Sequence, residues 1–126
     1  MELTVKIDTK ERFTVFTQTE KEMYVIMTAQ LCDLLLTYLQ KDIPHIILNL
    51  QNVEKIDEQT GELLATTQQN FYESNCSFVI CCLKKNVEDT LDKLELLEIM
   101  NVTPSESEAW DIVQMEEIER EILGDE

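Results

Sequence analysis

The sequence predicts an α/β fold: one domain over residues 1–126, built on a mixed β-sheet with a parallel core and about four packed helices. Three observations predict it. Two unbroken apolar runs, Ile46 to Leu50 (interrupted only by Asn49) and Phe78 to Leu83, have the composition of strands buried on both faces. Each run leads through a polar turn into apolar residues spaced i, i+3, i+4, the helical period. Only two glycines and two prolines interrupt the 126 residues, with no repeat, low-complexity segment or linker, so a single core is expected.

Taken in order, Leu3 to Ile7 and Phe13 to Phe16 alternate apolar and polar around DTKER, which reads as an antiparallel hairpin. Thr17 to Glu22 is a polar break. Tyr24 to Met27 reads either as a short extended piece or as a first helical turn. From Thr28, a candidate N-cap, Leu31, Leu34, Leu35, Tyr38 and Leu39 follow the helical rule, with Asp33 on the solvated face. Pro44 closes that element before the central strand. After the strand, Gln51-Asn52 turns the chain and Val53 and Ile56 point inward. A second helix over Glu62 to Tyr72 carries Leu63, Leu64, Thr67 and Phe71, and Ser74-Asn75 stops it. The helix in this connection makes the strand from Phe78 parallel to the first. Asn86 is the candidate cap of a third helix with Val87, Leu91 and Leu94 inward. Ile99 to Val102 reads as a short strand. Ser105 with Glu108 forms a capping box for the last helix. Its inward face is expected to be Ala109, Ile112, Met115, Ile118 and Ile122, with the acidic end, about 116–126, fraying past the body.

Charge and composition exclude several functions. Acidic residues outnumber basic ones 26 to 10, a formal charge of −16, which repels nucleic acid and anionic lipid and favours basic partners. No apolar stretch approaches a membrane span and the start of the chain is polar, so a cytoplasmic location is expected. Cys32, Cys76, Cys81 and Cys82 lack CxxC or zinc-ligand spacing and read as core thiols; no metal and no cofactor is expected. Two glycines cannot supply a phosphate-binding loop. His45 stands alone at a strand start without a nucleophile beside it. Asp57 and Glu58 are adjacent, so their side chains diverge, and Glu116, Glu117, Glu119 and Glu121 lack calcium-loop spacing. The chain therefore reads as a non-enzymatic binding module.

Its expected working surface is the segment after the central strand, where open α/β sheets present their sites. Asp57 or Thr60 would cap the following helix, with Glu62 in its first turn. The candidate partner-binding residues are Asp57, Glu58, Gln59, Thr60 and Gly61, with Asp57 ordering the loop through backbone N–H bonds. Two other readings use the same fold: a nucleotide or small-ligand binder at this sheet edge, and a homodimer formed through the last helix or an exposed strand.

The stretch NLQNVEKIDEQTGELL resembles the signature of STAS domains, the anti-sigma factor antagonist fold: a strand, an Asn/Asp-Leu-x-x-Val-x-x-Ile-Asp segment, then Ser-Ser-Gly-Leu opening a helix. The resemblance runs on through FVICCLKKNVEDTLDKLEL and IMNVTPSESEAWDIV, and begins at VKIDTKERFTVF, so it covers nearly the whole chain. It implies a protein that acts by binding, with a serine kinase that is itself an anti-sigma factor as the partner. It also implies a switch: that kinase phosphorylates the serine following the aspartate. By position Asp57 matches the aspartate, Glu58 the phosphorylated serine, Gln59 the next serine, Thr60 the glycine and Gly61 the leucine. Glu58 has no hydroxyl to modify. Its charge of −1 stands against roughly −1.5 to −2 for phosphoserine. Thr60, the nearest hydroxyl, is a secondary candidate for modification, set against its reading as a helix cap. Gly61 weakens the helix start by about 1 kcal/mol relative to alanine.

Overall fold

The computed structural model describes residues 5–124. In chain order it contains β1 (Val5–Thr9), β2 (Thr14–Gln18), β3 (Glu22–Met23), α1 (Val25–Thr37) and a 3-10 turn (Tyr38–Gln40). Then follow β4 (Ile46–Asn49), β5 (Lys55–Ile56), α2 (Glu58–Glu73), β6 (Phe78–Cys81), α3 (Lys85–Lys93), β7 (Val102–Thr103) and α4 (Glu106–Gly124). The main sheet has the order β1-β2-β4-β6-β7, with β1 antiparallel to β2 and every other pair parallel. This is the mixed sheet with a parallel centre and four helices that the apolar runs predict. A second, two-stranded parallel sheet pairs β3 with β5.

The central strands β4 and β6 are buried along their whole length, because helices cover both faces. On one face Phe16, Leu48, Phe78 and Ile80 pack with Leu31 and Leu35 of α1, Leu64 and Phe71 of α2, and Val87 and Leu91 of α3. On the other, Val15, Ile47, Val79 and Cys81 meet Ala109 and Val113 of α4. Fully burying a side chain of this size stabilises by about 1.5–3 kcal/mol, so this double layer is what fixes the register.

Several boundaries differ from the sequence reading, each for a physical reason. The hairpin is β1 with β2, and Leu3 of its expected first strand lies outside the described residues. Helix α1 begins at Val25, so Thr28 is not its N-cap; Thr28 is buried inside the helix and its N–H donates to the Tyr24 carbonyl at 2.9 Å. The first N–H of the helix is satisfied from elsewhere: Val25 N donates to Asp57 Oδ2 at 3.1 Å. Asn86 does not cap α3. The cap position is Lys84, and the Asn86 amide donates instead to the Glu54 carbonyl. The expected strand from Ile99 shortens to β7, where backbone pairing with β6 begins; Ile99 itself is 66% exposed.

On α4 the inward face is Ala109 and Val113, continued by Glu116 and Arg120 rather than by Met115, Ile118 and Ile122, which are exposed. The polar continuation has partners at the lower edge of the sheet. Tyr72 and Ser77 hydroxyls donate to Glu116 at 2.8 and 2.6 Å, and Arg120 donates to Ser77 Oγ at 3.0 Å. Burial and the adjacent Glu116 carboxylate push the Tyr72 phenol up, keeping it a donor. His45 closes this edge by accepting from Ser77 N at Nδ1, and burial holds it below its ordinary pKa, in the neutral form that bond requires.

Candidate functional site

The site is built by a single carboxylate that caps two helices. Asp57 is the N-cap of α2, in extended conformation, and its Oδ1 accepts from Thr60 N at 2.8 Å. Its Oδ2 accepts from Val25 N, the first helical N–H of α1. The positive ends of two helix dipoles therefore converge on one negative group. Burial alone would raise the Asp57 pKa, but the bonds from Thr60 and Val25 outweigh it and hold the carboxyl below its usual value. The short β3–β5 pair supports the same place from below, and Asp57 N donates to the Met23 carbonyl at 3.3 Å.

Of the residues predicted at the site, Asp57, Glu58 and Gln59 lie at the rim, and the latter two are exposed in the first turn of α2. Thr60 and Gly61 do not face solvent, which corrects their place among the surface contacts. Thr60 is fully buried; its Oγ1 lies 2.9 Å from Thr28 Oγ1 and 3.4 Å from the Met23 carbonyl it donates to. It is the third helical residue, not the cap, and a kinase could reach its hydroxyl only after the α1–α2 contact opened. Gly61 is buried against α3: a Cβ there would lie 3.0 Å from Leu94 Cδ1 and 3.1 Å from Leu91 Cδ2. Its lack of a side chain makes room for that contact.

The sequence reading missed two residues at this rim, Tyr24 and Ile26. They flank Val25, are 52% and 65% exposed, and so stand beside the Asp57 carboxylate as apolar surface. Helical phase carried a signal for one of them, since Ile26 lies seven residues before the exposed Asp33. Tyr24 donates its hydroxyl to the Glu22 carboxylate. Among the described residues, no group of three or more His, Cys, Asp or Glu is placed to hold a metal ion, and no helix is long and apolar enough to cross a membrane. Burial pushes the Cys32, Cys76 and Cys81 thiols up, consistent with core positions.

A mixed α/β sheet with a parallel centre carries two helix N-termini and an exposed charged turn at one edge, so the candidate site is a rim rather than an enclosed cavity. A model of the STAS domain family matches residues 4–109, and the chain belongs to that family. Solved structures share the fold. A candidate anti-sigma factor antagonist from Thermotoga maritima superposes with a TM-score of 0.78 at 20% identity, over 87% of this chain and 94% of its own. A STAS domain protein from Planctomyces limnophilus gives 0.75 at 17%, over 87% and 97%. A serine-to-glutamate variant of RsbS from Moorella thermoacetica gives 0.73 at 18%, over 87% and 94%. No curated protein matches the chain by sequence.

Proposed function

We propose that this chain is a non-enzymatic interaction module that binds a regulatory protein through the rim at the start of α2, with Glu58 as a permanent negative charge. One observation carries the reading: Asp57 pins the starts of both α1 and α2, so Glu58 and Gln59 project from a fixed rim beside exposed Tyr24 and Ile26. Such a rim costs a partner little ordering entropy. Apolar anchors next to charge also match the makeup of interface hot spots. The STAS family, with anti-sigma factor antagonists among the structural neighbours, supports a serine kinase acting as an anti-sigma factor as the partner class. With glutamate where the family pattern has its modified serine, that kinase has nothing to phosphorylate at this position.

The test compares tagged wild type, Glu58→Ser and Glu58→Lys for the protein each co-purifies from the source cell, followed by calorimetric titration of the partner recovered. Reversing the charge is expected to weaken binding by about tenfold or more, mainly through faster dissociation if the contact is buried. Equal recovery and equal affinity for all three forms would move the contact surface away from the rim.

A further inference from the structure

Below the rim, α2 and the connection from α3 to β7 enclose an open groove of about 850 Å³. The connection side is apolar, from Leu96, Ile99 and Met100, while on α2 Ala65 lies among Thr66, Gln68 and Gln69, and Glu62 and Glu73 stand at the two ends of that side. The twelve residues from Glu62 to Glu73, eleven helical steps apart end to end, span ~16 Å at 1.5 Å per residue, the length of three helical turns. Neither wall carries a cation. Helix α2 (Glu58–Glu73) contains Glu58, Glu62 and Glu73 with no lysine or arginine, and residues 94–101 contain Glu95 and Glu98 with none.

The groove is held in shape. Both ends of the Gln68 amide clamp the connection onto α2: Nε2 donates to the Ile99 carbonyl at 3.0 Å and Oε1 accepts from Asn101 N at 2.7 Å. Asn101 is tied in turn to Tyr72, whose hydroxyl donates to Glu116 on α4. With its backbone fixed, Ile99 presents a 66% exposed side chain to the groove as a preformed anchor.

We infer that this groove docks an amphipathic helix of a partner protein, its apolar face on Ala65, Leu96 and Ile99 and its basic residues toward Glu62 and Glu73. Helix-in-groove recognition uses anchors at i, i+3 or i+4 and i+7, which three turns accommodate. A second copy of this chain is disfavoured as occupant because each copy carries −16. The groove begins one helical turn past Glu58, which does not line it, and docking there does not depend on Glu58.

The test uses the full chain and synthetic peptides of about 14 residues, ~21 Å as helix. One is built of leucine and lysine with the leucines on one face, a second has the same composition with the leucines scattered, and a third replaces lysine by glutamate. Binding is read by fluorescence anisotropy of the labelled peptide at about 0.15 M salt, where exposed charges beyond ~8 Å are screened. Amide chemical shifts locate it. The expected result is binding of the first peptide at least about tenfold tighter than the scattered or acidic one, with shifts at 62–73 and 96–101. Ile99→Asp and Thr66→Lys, both at exposed positions lining the groove, are each expected to weaken it about tenfold, and Glu58→Ser by less than about threefold. Equal binding of the scattered peptide, shifts centred on Met115, Ile118 and Ile122 of α4, a loss in Glu58→Ser as large as in Ile99→Asp, or dimerisation through the groove by light scattering would each overturn the inference.

Discussion

Asp57 shows how much a single side chain can organise. An aspartate before a helical run is a common N-cap signal, and its bond to Thr60 N is readable locally. Its second bond, to Val25 N, crosses 32 residues of sequence, and nothing near Val25 announces it. That is why Thr28 looked like the start of α1: the cap of that helix belongs to another element. Asp57→Ala orphans both N–H groups and is expected to cost about 1–2 kcal/mol in urea unfolding at neutral pH. Asp57→Asn, which keeps an acceptor but loses the charge, should fall between. The pH dependence has a definite sign. The carboxyl is held below its usual value of 3.8 in the folded state, so its contribution is present above that value and is lost as pH falls through the lower folded pKa. The gap between wild type and Asp57→Ala should therefore narrow in acid. An unchanged gap from pH 7 to about pH 3 would mean the carboxylate is not what the two helices share.

At the level of elements, the sequence displayed what depends on periodicity and hid what depends on contact. The central strands, α2, α3 and the parallel crossover follow from apolar runs and their spacing. The two-residue strands β3 and β5 did not, because two residues carry no period and their pairing is non-local. The inward phase of α4 was misjudged because polar partners at the sheet edge, not apolar ones, claim Glu116 and Arg120. Gly61 is the sharpest case. As a letter in a helix it is a weakness; in the fold it is the space into which Leu91 and Leu94 of the α3 segment pack. Gly61→Ala gains about 1 kcal/mol of helix propensity but presses a methyl to 3.0–3.1 Å from leucine side-chain ends, so its net effect should stay within about 1 kcal/mol of zero. Gly61→Leu has no such relief and is expected to destabilise by about 1–3 kcal/mol through overpacking. Its urea midpoint is the measurement; a midpoint equal to wild type would show that α3 can move off α2 without cost.

At the scale of the whole molecule, the rim was legible as a place but not as a surface. The sequence could locate residues 57–61 after the central strand, yet which of them face outward is set by the packing of α1 and α3 on α2, and two of the five turn in. Net charge is the property that was legible in full, and its consequence is mechanical. A chain of this length folds to a radius of gyration of ~14 Å. At 0.01 M salt the Debye length is ~30 Å, so the −16 charge repels itself across the entire body; at 0.15 M it is ~8 Å and only neighbours interact. The exposed ion pairs, such as Lys85 with Asp89 at 3.1 Å and Lys10 with Asp8 at 2.9 Å, are solvent-screened, contribute little and weaken further with salt. Self-repulsion is relieved over the same range, and with 26 acids against 10 bases it outweighs those pairs. Folding stability is thus expected to rise by about 1–2 kcal/mol between 0.01 and 0.15 M sodium chloride, measured as the urea midpoint at constant pH. A midpoint that falls steadily with salt would mean that pairwise attractions dominate the acidic field, and that field would then no longer account for a preference for basic partners.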